Sequence, residues 1–173
     1  MTDAAEVVRH HTTYTPDFPS AGILFRDLSG LFADGPAFRT VLDALAARFE
    51  FDAVAGAEAR GFLLAAGIGV LTGAAVLPLR KPGKLPPPVL SESYALEYGT
   101  AELQLREGIV TGRRVLIVDD VLATGGTLAA ARRLIERSGN SVVGAAVVIE
   151  LAALGGRAAL PGLDVTAVLV EEG

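Results

Sequence analysis

The chain has no cysteine among its 173 residues. Disulfides and thiolate chemistry are therefore excluded, and a reducing cytosol is the natural compartment. No apolar run reaches the roughly 18 residues that a membrane span needs. The opening Met1-Thr2-Asp3-Ala4-Ala5-Glu6 lacks the basic-then-apolar order of a secretory signal. Positive charge is in the minority, with 15 Lys and Arg against 20 Asp and Glu and a net charge of −5. That balance argues against broad nucleic-acid binding, which requires a basic face. It leaves room for a small anionic ligand, because a few amides and cationic side chains suffice to hold one. Aromatics are only 6 % of residues, so the 51 % hydrophobic content rests largely on Ala and Val. Such a composition suits helices packed on a sheet, and 173 residues are expected to form a single domain with a core of its own.

Residues 4–11 are expected to form a short helix. Asp34-Gly35-Pro36 has the form of a helix start, Asp34 capping and Pro36 in the first turn. Phe38, Val41, Leu42, Leu45 and Phe49 then recur on one helical face. Short apolar, β-branched runs occur at 23–25, 53–56, 75–79, 115–118, 142–149 and 165–170, with helical patterns at 61–71 and 127–137. Strands alternating with helices predict a three-layer α/β fold, its mainly parallel sheet flanked by helices. Residues 80–99 break this rhythm. Their Pro-, Lys-, Ser- and Tyr-rich sequence, with prolines at 86, 87 and 88, predicts a long loop of the kind that serves as a lid.

The most informative string runs Val115-Leu116-Ile117-Val118-Asp119-Asp120-Val121-Leu122-Ala123-Thr124-Gly125-Gly126-Thr127. A buried strand is expected to end in two carboxylates, at the edge where open parallel sheets bind ligands. Small and hydroxylated residues then lead into a helix N-terminus, where backbone N–H groups and Thr hydroxyls surround a phosphate. Two carboxylates beside such a nest repel a bare polyphosphate but suit the hydroxyls of a ribose. The implied ligand is a sugar phosphate; a purely structural Asp-Asp turn with a helix cap is the alternative. A Walker A loop is excluded because no Lys follows Gly126, and Gly67-Ile68-Gly69 lies inside an apolar helical pattern rather than after a strand.

That string resembles the phosphoribosyl pyrophosphate (PRPP) motif of type I phosphoribosyltransferases at nearly every position. Four further segments are similar to the adenine phosphoribosyltransferase family: residues 17–27 to its N-terminal base-binding segment, Glu58-Ala59-Arg60-Gly61-Phe62 to its pyrophosphate loop, residues 80–86 with 94–100 to its mobile loop, and residues 148–157 in general pattern. The likeness is collinear from about Tyr14 to Arg157. One departure is Gly30, which follows Arg26-Asp27-Leu28-Ser29 where the family has proline, and which is expected to loosen a turn beside the base pocket.

The resemblance implies the type I phosphoribosyltransferase fold, with residues 1–33 as a small hood that binds the base and 80–99 as a mobile catalytic loop. It implies that Asp119 and Asp120 hold the ribose hydroxyls, and that Ala123, Thr124, Gly125, Gly126 and Thr127 hold the 5′-phosphate. Arg60 faces pyrophosphate, with Lys81 and Lys84 covering it on closure. Glu97, beside Tyr98, is the expected acid/base for the purine N–H; a solvated loop charge is the alternative. Leu24 and Arg26 are expected to offer a backbone edge complementary to adenine, with Phe25 stacked on the ring or simply part of the core. Mg²⁺ is expected to arrive with PRPP and to have no dedicated protein cage, touching Asp119 or Asp120 at most. Adenine and PRPP are the implied substrates, AMP and pyrophosphate the products, and a cytoplasmic homodimer the implied state. The pyrophosphate loop is expected to have an unusual backbone, a cis peptide near Glu58–Ala59. The rivals are a transferase for xanthine, hypoxanthine or guanine, and a PRPP-sensing regulator. The latter would add a DNA-binding helix-turn-helix, which this chain lacks. His10 and His11 are read as surface residues.

Overall fold

Alternation of β-branched runs with Ala-rich helices produces a five-stranded parallel sheet. The structure, a computed structural model, describes residues 3–95 and 100–172. The strands of this sheet are β3 (Ala53–Ala57), β4 (Ala75–Leu79), β7 (Arg114–Leu122), β8 (Ser141–Leu151) and β9 (Val165–Glu171), in the order β4-β3-β7-β8-β9. Every neighbouring pair is parallel. Both faces are covered, as near-continuous apolar strands require. On one face α5 (Gly126–Arg137) buries Leu128, Ala131, Leu134 and Ile135 against Val115, Ile117, Ala145 and Val147. On the other, α3 (Gly35–Ala46) and α4 (Arg60–Thr72) bury Val41, Leu45, Leu64 and Ile68 against Val54, Leu116, Val118 and Val148. The three-layer α/β expectation holds.

The helix start at Asp34 is also as expected: its carboxylate accepts the Ala37 N–H at 2.9 Å, with Pro36 in the first turn. Phe49, counted on the same apolar face, lies beyond the end of α3 at Ala46. Ahead of the sheet, α1 (Ala4–His11) leads into an antiparallel pair, β1 (Thr13–Pro16) and β2 (Leu24–Asp27). Then comes α2 (Ser29–Ala33). Gly30 is not a loosened turn. It lies in α2, where a Cβ would come 2.8 Å from the His11 carbonyl oxygen, so the missing side chain lets α2 close against the end of α1.

Two further expectations need correction. β7 does not end at its two carboxylates. It runs through Asp119 and Asp120 to Leu122, because β8 continues to pair with it after β3 has ended opposite Val118. The carboxylates thus begin where one neighbour drops away, and there the sheet opens. Likewise, residues 80–99 are not loop throughout. β5 (Val89–Ala95) pairs in antiparallel register with β6 (Thr100–Arg106) and packs on α5, leaving the proline-rich 81–88 as irregular chain. The two-residue period lies in β6, where buried Leu103 and Leu105 alternate with Glu102, Gln104 and Arg106; in β5 Leu90 is followed by three polar residues, so no such period marks that strand.

Candidate active site

Three sequence segments converge at the carboxyl edge of the sheet. β2 presents Leu24, Phe25 and Arg26; the start of α4 presents Arg60; the segment after β7 presents Ala123 and Thr124. All six line one cleft of about 660 Å³, together with Gly22, Ile23, Val121, Leu151 and Leu154. This size accommodates a nucleotide-sized ligand.

Arg60 sits at the centre of the cleft's polar groups. Its Nε lies 2.8 Å from Asp120 Oδ2, its Nη1 donates to the Arg26 carbonyl at 3.4 Å, and its guanidinium lies 5.6 Å from the centroid of the Phe25 ring. The Phe25 ring meets Phe18 edge-on at 5.1 Å. Asp120 is buried, and the contact with Arg60 is an ion pair without an aligned hydrogen bond, so among the described residues Oδ2 has no hydrogen-bond donor. Asp119 Oδ1 accepts the backbone N–H of Asp120 at 2.9 Å. Burial, and then the neighbouring Asp120 charge, push the Asp119 carboxyl well above the ordinary carboxylate range. Both groups are thus primed for a ligand that brings hydroxyl donors or positive charge.

The loop from Ala123 to Gly125 turns into α5 with Gly125 at φ 82°, and no side chain caps the helix start. A Cβ on Gly125 would lie 2.3 Å from the Gly156 carbonyl oxygen, and one on Gly156 would lie 2.3 Å from the Ala123 carbonyl oxygen. Two glycines therefore allow backbone to pack on backbone behind the loop. An ion pair fastens the second wall: Arg157 donates to both oxygens of buried Glu150, at 2.7 and 2.6 Å, and to the Val165 carbonyl at 2.7 Å. Helix starts without a side-chain cap, with their unpaired N–H groups and dipole, are the kind of surface that binds anions.

The Glu58–Ala59 peptide is cis, as the resemblance implied. The adjoining Glu58 carboxylate accepts the Lys81 N–H at 2.9 Å and Arg80 Nε at 3.1 Å. The backbone bond from Lys81, followed by the Arg80 charge, holds the Glu58 carboxyl below its usual range.

Residues 37–159 match the model of the phosphoribosyl transferase domain. The adenine phosphoribosyltransferase of Clavibacter michiganensis subsp. michiganensis is 58 % identical over 97 % of both chains. The crystal structure of adenine phosphoribosyltransferase from Thermoanaerobacter pseudethanolicus superimposes with a TM-score of 0.92 at 40 % identity, covering 96 % of this chain and 99 % of that one. The enzyme from Saccharomyces cerevisiae, solved with an iminoaltritol bisphosphate and adenine, gives 0.91 at 32 % identity over 98 % and 100 %. The chain belongs to the adenine phosphoribosyltransferase family.

Within this family member, the cleft unites Leu24, Phe25, Arg26, Arg60, Ala123 and Thr124, with Asp120 joined to it through Arg60. Gly125, Gly126 and Thr127 follow directly at the start of α5. Lys81 and Lys84 do not line the cleft: both are exposed, and it is the Lys81 backbone N–H that meets Glu58. Glu97 and Tyr98 lie outside the described residues. Sequence reading gave Glu58 and Arg80 no role beyond their place in motifs, and it missed Glu171 and the Glu150–Arg157 pair. Isolated charges carry no motif, and their partners lie far away in sequence. Only the Glu150–Arg157 spacing within the 148–157 similarity gave a hint.

Proposed function

We propose that the chain transfers the phosphoribosyl group of PRPP to adenine, forming AMP and pyrophosphate in purine salvage. The single observation that carries this is the cleft that joins a strand edge, an Arg–Asp pair and an uncapped helix start. These are the three surfaces that a base, a ribose with its leaving group and a 5′-phosphate need.

In this reading the backbone from Ala123 to Thr127 binds the 5′-phosphate, with the Thr124 and Thr127 hydroxyls adding donors. Asp119 and Asp120 accept hydrogen bonds from the ribose hydroxyls. Asp120 Oδ2, buried and without a donor, suits that role, and its exchange of Arg60 for a hydroxyl releases the guanidinium toward pyrophosphate. Phe25 stacks on adenine while the Leu24 carbonyl and the Arg26 N–H read its edge; a 6-oxopurine reverses that donor–acceptor order and mispairs buried groups. Glu97, with Tyr98, manages the proton on the purine ring, help worth about 10²–10⁴-fold in such reactions. Lys81 and Lys84 cover the pyrophosphate when residues 81–88 close, and closure excludes water from the oxocarbenium-like anomeric carbon.

The donor-free carboxylate oxygen of Asp120 and the adjacent Asp119 are hard oxygen ligands of the kind Mg²⁺ prefers. Mg²⁺ bound with PRPP would supply charge neutralisation on the departing pyrophosphate. The protein is read as one domain across 1–173, acting as a cytoplasmic homodimer; the absence of cysteine supports the compartment.

Incubation with PRPP, Mg²⁺ and each purine base tests the reading. Adenine is converted to AMP far faster than guanine or hypoxanthine is converted to its nucleotide. Equal rates would sink the assignment to adenine, and no turnover with any base would favour a PRPP-binding regulator.

A further inference from the structure

β1 and β2 form a two-stranded ribbon outside the main sheet, and such a ribbon is marginal by itself. The proposed base edge therefore depends on whatever fixes β2 to the core. One side chain does this for both strands. Glu171, the last residue of β9, accepts Arg26 Nε at 2.8 Å and Arg26 Nη2 at 2.7 Å on Oε2, and the Tyr14 hydroxyl at 2.7 Å on Oε1. The remaining arm of the same guanidinium, Nη1, donates to the Leu24 carbonyl at 2.5 Å. The pair is well sheltered, with side-chain exposures of 17 % for Arg26 and 18 % for Glu171. Burial, and then the bond to Glu171, raise the Tyr14 hydroxyl above its ordinary value, so this donor keeps its proton across the working range.

We propose that Glu171 is the positioning residue for base selection. Through Arg26 it fixes the direction of the Leu24 carbonyl and, through Tyr14, the twist of the ribbon that presents it. This rests on the adenine reading above. A carbonyl oxygen has two lone pairs. Arg26 takes one, and the other is left for the exocyclic amine of adenine. The clamp also prevents the Arg26 guanidinium from swinging over to donate to a 6-oxo group. Glu171 does not line the cleft, so its effect falls on the base edge and not on PRPP, whose proposed phosphate cradle lies at α5.

Steady-state kinetics of the full chain, with adenine and PRPP varied separately, test this on wild type, Glu171→Gln, Glu171→Ala and Tyr14→Phe. Charged hydrogen bonds of this kind are worth enough that Glu171→Ala is expected to raise KM for adenine about tenfold, equivalent to about 1.4 kcal/mol. KM for PRPP stays at the wild-type value, and the rate with hypoxanthine rises relative to adenine. Glu171→Gln retains an acceptor and falls between. Tyr14→Phe, which leaves the ion pair intact, gives a smaller rise and remains readable if Glu171→Ala fails to fold. Parallel rises in both KM values, or an unchanged KM for adenine in all three variants, would overturn the clamp while leaving the activity intact. A wild-type enzyme that makes no AMP overturns the functional reading and the clamp with it.

Discussion

Gly156→Ala tests whether the proposed phosphate loop is placed from behind. The new methyl carbon would lie 2.3 Å from the Ala123 carbonyl oxygen and 2.7 Å from Leu122 Cδ1. The leucine tip can rotate; the carbonyl is backbone and cannot. Restoring an ordinary contact requires a movement of about 1 Å, and two parts can make it. The 3₁₀ turn Gly156–Ala159 is pinned through Arg157, which is paired to Glu150 and bonded to the Val165 carbonyl. The loop from Ala123 to Gly125 has no side-chain tether of this kind among the described residues, only the Ala129 N–H on the Gly125 carbonyl, and therefore gives way. Overpacking of this kind costs about 1–3 kcal/mol of stability, and a 1 Å misplacement at a site costs about 10²-fold in rate. AMP formation with PRPP varied should show kcat/KM for PRPP falling by about that factor, with a melting temperature lower by several degrees. The neighbouring Gly155 is the control: it has φ 63° but nothing within 4 Å of a Cβ, so Gly155→Asn, tolerant of that backbone, keeps near-normal kinetics. A Gly156→Ala enzyme with wild-type kcat/KM and melting temperature would refute the reasoning.

Asp119→Asn with Asp120→Asn should weaken PRPP binding strongly in calorimetry while the circular dichroism spectrum is retained; unchanged affinity removes the ribose role. Hydrogen exchange should find 81–88 more protected with PRPP bound, whereas Val89 to Tyr94 stay protected in both states because β6 pairs with them; equal protection of 81–88 in both states makes that segment a fixed wall. Asp52, hydrogen-bonded by the Arg114 side chain and backbone, titrates at about 2 instead of its ordinary value. A depressed carboxyl contributes stability that is fully present above the unfolded-state pKa and is lost as pH falls through the folded one. Acid unfolding of Asp52→Asn should accordingly be flatter between about pH 4 and pH 2; an identical slope would show that the pair is inert.

The sequence by itself determined the layers and the glycine-rich turn into α5, because both are written in local order. A period of about two or 3.6 residues decides strand or helix, and Asp119 to Thr127 form a continuous string that one local window contains. It also determined Arg60, which stands in a contiguous loop motif. Tertiary structure alone decided what each charge meets. Arg60 lies 60 residues before Asp120 in the chain and 2.8 Å from it in space. Glu171 is joined to Tyr14 and Arg26 across more than 140 residues. Where β7 ends was likewise decided by its neighbour β8, and Gly30 was fixed by the approach of α1, not by its own backbone freedom. A side chain's pairing depends on the register and packing of elements that no local window contains, so spacing could supply the parts of this site but not their contacts.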